Sequence, residues 1–371
     1  MPATPTPRLQ FPYMVWAHTE SSRSPYSLSQ SGMPMADPAF LPERGFADLQ
    51  QPSQEALGLY EAKLAELYGV APERVIATVG ASGGMLVAAL RWFRPGSRVV
   101  VEVPSYEPVR ALPAWLGADV RYLRRRLEDG WQPDPDEAAR ELARGSGPGH
   151  VFVTNLHNPT GVRSDRERIA ALGRAAERAG GLLVSCEVYM EYVPAGRRVH
   201  AFEAAPNGVS IGSLTKAYGL GPLRLGWIVL GEALAARRAE VQDMGYLAWV
   251  DPPTVALRAG VAALGRLQEL LQPLARVTRE GRPAWERWLA STPGVEAVVP
   301  EFGIIAFARV AGAPDTVALG EHLAREHGVD VVPGEYFGAP GHVRVGCGVP
   351  AATLEEGLAR LARGIAAFPR R

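Results

Sequence analysis

The feature that most constrains this fold is a regular alternation of short apolar strands and helices between residues 75 and 230. Seven runs rich in Val, Ile and Leu have the length of buried strands. Helical segments lie between several of them, an order typical of a mostly parallel sheet covered by helices on both faces. The predicted strands are Val75–Val79, Val99–Val103, Val120–Leu123, His150–Thr154, Leu182–Glu187, Val209–Ser213 and Leu225–Leu230.

The pattern changes beyond residue 250, which predicts a second, smaller α+β domain. A long helical region at 254–291 is followed by four more strands and a final helix. We therefore expect a large α/β domain at 46–255 and a small domain formed by 256–371 together with an N-terminal arm, 1–45. The four later strands are predicted at 295–300, 304–310, 329–333 and 343–346.

Local signals refine three of these elements. The arm is rich in Pro and Ser without periodicity, so we expect it to be extended. Ser164 with Glu167 forms a capping-box pattern that predicts a helix over 164–179, and Thr353 with Glu356 does the same for the final helix. A further helix is predicted at 53–68, where an apolar stripe ends at a glycine.

Charge and cysteine content exclude several classes of protein. The 39 acidic and 39 basic residues cancel, which gives no electrostatic basis for binding nucleic acid or an anionic membrane. No run of apolar residues reaches the length of a membrane span, and the first ten residues lack the apolar segment of a secretion signal. The two distant cysteines, Cys186 and Cys347, do not indicate a disulfide framework. We expect a cytoplasmic protein without a metal site.

The strongest chemical signal is a glycine-rich loop around Lys216. Only two of the 39 basic residues are lysines, Lys63 and Lys216, so a lysine within a motif is unexpected by chance, although a GC-rich genome explains the excess of arginine. An amine in such a loop can attack an aldehyde. Ser213, before it, and Arg224, after it, can hold a phosphate dianion. The alternative is a solvated lysine beside a turn.

At this motif the sequence resembles class I/II aminotransferases, and the resemblance extends over nearly the whole chain. It implies a fold-type-I enzyme that uses pyridoxal 5′-phosphate (PLP), with Lys216 binding the cofactor as a Schiff base. The run from His157 to Gly161 is similar to the family's Asn-Pro-x-Gly turn. The resemblance gives Asn158 a hydrogen bond to the phenolic oxygen of PLP, next to the bound substrate. For His157 we expect a packing or capping role.

The resemblance also implies how the rest of the cofactor is held. Ala81 and Ser82 occupy the family's phosphate cup, at the start of a helix whose free N–H groups attract anions. Ser213 and Arg224 complete the phosphate site. Tyr106 matches the aromatic residue that stacks on the pyridine ring. A purely structural glycine turn and a core aromatic residue are the alternatives.

Three further residues receive roles near the substrate from the same resemblance. Tyr189 matches the tyrosine that donates to the phenolic oxygen, which keeps Lys216 available as a base near neutral pH. Arg344 matches the arginine that pairs with the substrate α-carboxylate, against the alternative of a surface arginine on an edge strand. Gly32 matches the glycine of the arm whose backbone lies over the substrate.

The sequence departs from the family at the ring-nitrogen position. The family has an aspartate there, three residues before the tyrosine, whereas this chain has Cys186 three residues before Tyr189. Glu187 is not expected to substitute, because neighbouring strand residues point to opposite faces. A thiol does not hold a pyridinium as a carboxylate does. The family's intersubunit tyrosine is expected near Phe46–Gln51, where no tyrosine occurs.

The function predicted from these residues is amino-group transfer between an amino acid and a 2-oxo acid, in a homodimer. Cys186 leaves a second hypothesis open, in which a neutral pyridine ring serves a lyase, a β-elimination or β-replacement synthase, or a racemase. A catalytically silent PLP-binding module is a third hypothesis.

Overall fold

The structure, a computed structural model, describes residues 11–21, 23–37, 41 and 53–369. Numbered in chain order, its helices are α1 Pro12–Thr19, α2 Ser53–Tyr68, α3 Gly80–Trp92, α4 Glu107–Trp115, α5 Pro135–Ala143, α6 Arg166–Arg178, α7 Ala201–Ala204, α8 Arg238–Ala248, α9 Thr254–Leu264, α10 Leu267–Ser291, α11 Thr316–His322 and α12 Ala351–Ala367.

A seven-stranded sheet with the order β2-β8-β7-β6-β5-β3-β4 forms the larger layer, as predicted. Only β8 runs antiparallel to its neighbours, so the sheet is mostly parallel. Every residue of β5, β6, β7 and β8 is buried, which explains their unbroken apolar runs. The strands are β2 Val75–Val79, β3 Arg98–Val103, β4 Asp119–Arg124, β5 Gly149–Thr154, β6 Leu183–Cys186, β7 Gly208–Ser213 and β8 Leu225–Leu230.

The C-terminal part contains a second, four-stranded antiparallel sheet with the order β12-β13-β10-β9. A short parallel pair, β1 with β11, ties the N-terminal segment to this part of the chain. The predicted strand at 329–333 is thus two short strands in different sheets. The strands are β1 Tyr26–Ser27, β9 Val295–Ala297, β10 Ile305–Val310, β11 Val329–Asp330, β12 Val332–Pro333 and β13 His342–Gly346.

The prediction of a wholly extended N-terminal arm is wrong, because residues 12–19 form helix α1. Pro12 at its start has a backbone angle preset for a helix. The Glu107 carboxylate accepts the Tyr13 N–H at 3.5 Å, and the Tyr13 and Trp16 rings pack against Tyr336. These contacts, distant in sequence, stabilise a helix whose own sequence carries no apolar period.

Both predicted capping boxes are also wrong. Helix α6 begins at Arg166, and its cap is Asp165, whose carboxylate accepts the Arg168 N–H at 2.8 Å. An aspartate caps as well as a serine and lies one residue closer to the helix. Helix α12 begins right after Pro350, so Thr353 and Glu356 lie within it.

The long helical region at 254–291 is divided between Leu264 and Leu267 into α9 and α10. These two helices lie in sequence between the larger sheet, which ends at β8, and the smaller one, which begins at β9. Within the described residues, no helix is long and apolar enough to cross a membrane.

Candidate active site

A cavity of about 240 Å³ lies where the parallel strands β5, β6 and β7 end. Ligands of open α/β sheets bind at the carboxyl ends of the strands. The cavity brings together nine of the residues predicted from the sequence. They are Ala81, Ser82, Tyr106, Asn158, Cys186, Tyr189, Ser213, Lys216 and Arg224. Arg344 lies behind this lining, and Gly32 lies against Lys216.

Lys216 follows β7, and its amine faces the cavity. Nζ donates to the Ser31 hydroxyl at 3.2 Å. The Lys216 carbonyl oxygen accepts hydrogen bonds from the Tyr192 hydroxyl at 3.1 Å and from the Met33 N–H at 2.9 Å. A Cβ on Gly32 would lie 3.5 Å from Lys216 Cδ, which puts the Gly32 backbone beside the lysine stem. Contacts from the N-terminal segment therefore help to position the amine.

The start of α3 and the Arg224 guanidinium form a cationic end of the cavity. Gly80 has φ +66°, and a Cβ there would lie 2.6 Å from Arg224 Nη2, so the close approach requires glycine. The first N–H groups of α3 follow at Ala81 and Ser82, where the helix dipole favours an anion. The Ser213 hydroxyl accepts the Thr215 N–H at 3.3 Å, which leaves its own hydrogen for donation.

Asn158 joins the cavity to the buried Arg344. Its Oδ1 accepts a hydrogen bond from Arg344 Nη1 at 3.1 Å, so its amide NH₂ remains to donate into the cavity. Its N–H donates to the Thr154 hydroxyl at 3.0 Å. The preceding His157 bonds Thr160 and Pro104, and burial lowers the pKa of its imidazole well below the usual value. A neutral imidazole held this way has the packing role that we expect.

Tyr106 and Tyr189 supply aromatic walls. Tyr106 meets Tyr13 edge to face, with ring centroids 6.1 Å apart, and its hydroxyl donates to Met14 Sδ at 3.5 Å. Burial raises the pKa of the Tyr106 phenol, which therefore stays protonated. Tyr189 stacks on Tyr192 at 5.9 Å.

Cys186 ends β6 beside Thr154 of β5 and lines the cavity. Burial raises the pKa of its thiol to about 12, so the group is uncharged near neutral pH. Glu187 is directed elsewhere: its carboxylate accepts hydrogen bonds from the Ala201 N–H at 2.8 Å and the Ser210 hydroxyl at 3.0 Å. Among the described residues that line the cavity, none is acidic.

A buried ion pair under the site escaped the sequence analysis. Glu102 Oε2 lies 2.7 Å from Arg125 Nη2, and both side chains are fully buried. Glu102 Oε1 accepts the Thr154 N–H at 2.7 Å and its hydroxyl at 2.6 Å. Burial raises the pKa of the Glu102 carboxyl, and Arg125 opposes that shift. The sequence signal that could have revealed the pair is Glu102 itself, a charged residue within the apolar run of β3.

Tyr13 of α1 is a further residue that the sequence did not reveal. Its hydroxyl accepts a hydrogen bond from Arg344 Nη2 at 3.1 Å, and its ring lines the cavity near Lys216. Burial alone would raise the pKa of the phenol, but the charges of Arg344 and Lys216 and hydrogen bonds to Arg344 and Ser31 lower it overall. No periodic pattern pointed to this residue.

A wider groove of about 1200 Å³ lies on another side of α1, lined by residues such as Phe11, Val15 and Trp16. None of the predicted site residues lines it. The smaller cavity is therefore the candidate active site.

Comparisons with known proteins identify the family to which the chain belongs. The sequence profile described as "Aminotransferase class I and II" matches residues 49–361. Capreomycidine synthase of Streptomyces vinaceus is 30% identical over 90% of this chain and 86% of its own length. Arginine–pyruvate transaminase of Pseudomonas aeruginosa is 26% identical over 78% of this chain and 74% of its own length.

Among solved structures, a PLP-dependent aminotransferase from Streptococcus suis superposes with a TM-score of 0.87 and 24% identity. The match covers 99% of this chain and 100% of that one, which confirms the predicted fold. PLP is the cofactor of the matched family. The chain is therefore a member of the class I and II aminotransferase family and depends on PLP.

Proposed function

We propose that this protein transfers an amino group between an amino acid and a 2-oxo acid, with Lys216 as the residue that carries PLP and moves the proton. The observation that carries the proposal is that Lys216 and Asn158 line the same cavity and that Asn158 accepts a hydrogen bond from the buried Arg344 guanidinium. The Lys216 amine can form a Schiff base with an aldehyde, and the Arg344 guanidinium can bind a carboxylate. A substrate with both an amino group and a carboxylate, an amino acid, suits this pair.

The residues present fit the cofactor. The space that Gly80 leaves for Arg224, with the start of α3 beside it, suits a phosphate dianion held by Ala81, Ser82, Ser213 and Arg224. Tyr106 would cover a ring face, and Asn158 and Tyr189 would donate to the phenolic oxygen. Cys186 would face the ring nitrogen. The bound cofactor supplies the aldehyde that takes the amino group and a ring that withdraws electrons.

The chain's own groups then orient the substrate and move its proton. Arg344 would hold the α-carboxylate, with Gly32 and Asn158 beside it. That fixes the Cα–H bond with respect to the Lys216 amine, which accepts the proton and returns it on the way to product. Among the described residues, the Lys216 amine donates to the Ser31 hydroxyl, a neutral partner that it can leave.

One observation favours a second candidate function. Cys186 is uncharged, and no acidic residue lines the described part of the cavity, so the ring nitrogen has no permanent negative partner there. Elimination, replacement or racemisation tolerates a neutral ring, and one relative is named as a synthase. A silent PLP-binding module is a weaker candidate, because the residues for proton transfer and carboxylate binding are both present.

A half-reaction screen tests the proposal. Amino acids are added one at a time to the PLP-loaded protein, and the absorbance of the cofactor is followed together with the release of 2-oxo acid and ammonia. Transamination predicts stoichiometric conversion of the cofactor to pyridoxamine phosphate. Release of ammonia or inversion of the substrate, with the cofactor unchanged, would support the second function instead.

A homodimer is part of the proposal. Leu247, Val250 and Tyr246 are apolar side chains that are 76%, 65% and 49% exposed. They flank Trp249, whose ring packs against Gly83 of α3 near the phosphate cup. A second copy would cover this surface, and sedimentation equilibrium at micromolar concentration would measure it. The predicted intersubunit segment, Phe46–Gln51, lies outside the described residues.

The domain division and the cytoplasmic location also remain proposals. The division at 46–255, against 1–45 with 256–371, is supported by the separate sheets on either side of α9 and α10. Cys186 and Cys347 are both buried and free, which suits a reducing compartment.

A further inference from the structure

The hydrogens on Nη2 of Arg344 are both donated within the chain. One goes to the Tyr13 hydroxyl at 3.1 Å and the other to the Ser29 carbonyl oxygen at 3.0 Å. Nη1 donates to Asn158 Oδ1 at 3.1 Å, and the buried Nε has no hydrogen-bond partner within the part of the chain that the structure describes. All the oxygen atoms that accept from this guanidinium among the described residues are uncharged.

This arrangement conflicts with a fork-to-fork carboxylate contact. Such a contact uses two parallel N–H groups on adjacent nitrogen atoms, either Nη1 with Nη2 or Nε with Nη2. Each choice requires a hydrogen on Nη2. A carboxylate that binds Arg344 in this way must therefore replace the Tyr13 hydroxyl or the Ser29 carbonyl oxygen.

The two acceptors differ in how firmly they are held. The Ser29 carbonyl belongs to a main-chain segment fixed by neighbouring hydrogen bonds, from the Leu28 N–H to the Asp330 oxygen at 2.9 Å and from the Gly346 N–H to the Leu28 oxygen at 2.8 Å. The Tyr13 hydroxyl ends a side chain instead of belonging to the main chain, and it lies on α1, a helix of only eight residues. Tyr13 is thus the acceptor that can yield.

We propose that the Tyr13 hydroxyl is a placeholder for one oxygen of the substrate α-carboxylate on Arg344 and is displaced when the substrate binds. The proposal rests on the proposed role of Arg344. Tyr13 is then a positioning residue that keeps the guanidinium aligned between Asn158 and Ser29. A carboxylate that binds must first break the hydrogen bond between Arg344 and the Tyr13 hydroxyl. Ser31, which also bonds the phenol, offers the displaced hydroxyl another partner.

The test uses the PLP-loaded protein and propionate, a carboxylate that has no amine to react. Tyr13→Phe removes the competing acceptor and keeps the ring. Because one net hydrogen bond no longer has to be exchanged, propionate should bind about fivefold more tightly by calorimetry. The KM for amino acids should fall in parallel, with PLP affinity unchanged. A merely structural role for Tyr13 would instead loosen binding.

Tyr336→Phe is the matched control. The Tyr336 ring lies 6.1 Å from that of Tyr13, and the described acceptors of Arg344 are Asn158, Tyr13 and Ser29, so removal of the Tyr336 hydroxyl should not change propionate affinity. Equal or weaker propionate binding by Tyr13→Phe would overturn the proposal. Arg344→Lys distinguishes a failure of the proposed role of Arg344 from a failure of the placeholder role of Tyr13. If it binds propionate as well as the unchanged protein does, the proposed role of Arg344 fails. If it loses binding while Tyr13→Phe gains none, only the placeholder fails.

Discussion

Two buried arginines of this protein differ in the charge of the groups that surround them. Arg125 has a counterion in its own chain, Glu102, at 2.7 Å, and a further hydrogen bond to the Trp131 carbonyl oxygen at 3.1 Å. Arg344 is 1% exposed and donates only to uncharged oxygen atoms among the described residues, with the aromatic rings of Tyr13 and Phe337 at 5.5 and 5.2 Å.

The difference supports the proposal that Arg125 carries a structural charge and Arg344 a charge that binds a ligand. A buried charge is costly unless a partner of opposite sign compensates it. Arg125 receives that partner on folding, and the pair supports Thr154 beneath the cavity. Arg344 receives only neutral acceptors and so retains a strong preference for an anion. The substrate carboxylate that we propose for Arg344 would supply this anion.

Breaking the Arg125 pair should give the largest loss of stability. Arg125→Met leaves the Glu102 carboxylate buried without a counterion, so the free energy of unfolding should fall by about 3–5 kcal/mol. Urea denaturation measures this change. The double variant Glu102→Leu/Arg125→Met should recover part of the loss, because no charge is then left unpaired. A loss below about 1 kcal/mol, the usual limit for exposed pairs, would contradict the framework role.

Arg344→Lys should affect the substrate and spare the fold. Lysine keeps the charge but loses the planar fork. The KM for amino acids should rise roughly tenfold to a hundredfold, because a hydrogen bond to a charged group contributes about 1.5–3 kcal/mol. PLP affinity should stay unchanged. Arg125→Lys is the matched control, since it should lower stability without raising KM. Equal effects of the two variants on KM would remove the distinction between the arginines.

The sequence predicted the features that local runs of residues encode, and it did not predict the contacts between residues that are distant in the chain. The strands and the loop of Lys216 were predictable because local runs of residues encode them. The partners of Arg344 were not, since Tyr13 lies 331 residues away in the chain and Ser29 lies 315 away. The family resemblance supplied the role of Arg344, whereas its neutral surroundings appear only in three dimensions. For the same reason α1 was missed, because its supports come from residues 107 and 336.

Cys186→Asp adds a negative charge to the cavity, whose described lining contains no acidic residue. A carboxylate at the ring nitrogen strengthens electron withdrawal by the cofactor. If transamination is the native reaction, stopped-flow absorbance should show the half-reaction about tenfold faster, which corresponds to roughly 1.4 kcal/mol. Cys186→Ser, a neutral replacement, should change the rate little. A slower native reaction in Cys186→Asp would instead favour elimination, replacement or racemisation.

We expect Lys216 to carry the cofactor. The sequence contains one other lysine, Lys63. Lys63 lies on the exposed face of α2 and pairs with Glu66 at 3.0 Å, whereas Lys216 points into the cavity. Borohydride reduction of the PLP-loaded protein, followed by peptide mapping, tests the claim directly. We expect a pyridoxyl label on Lys216 alone. A label on Lys63, or no label on either lysine, would contradict it.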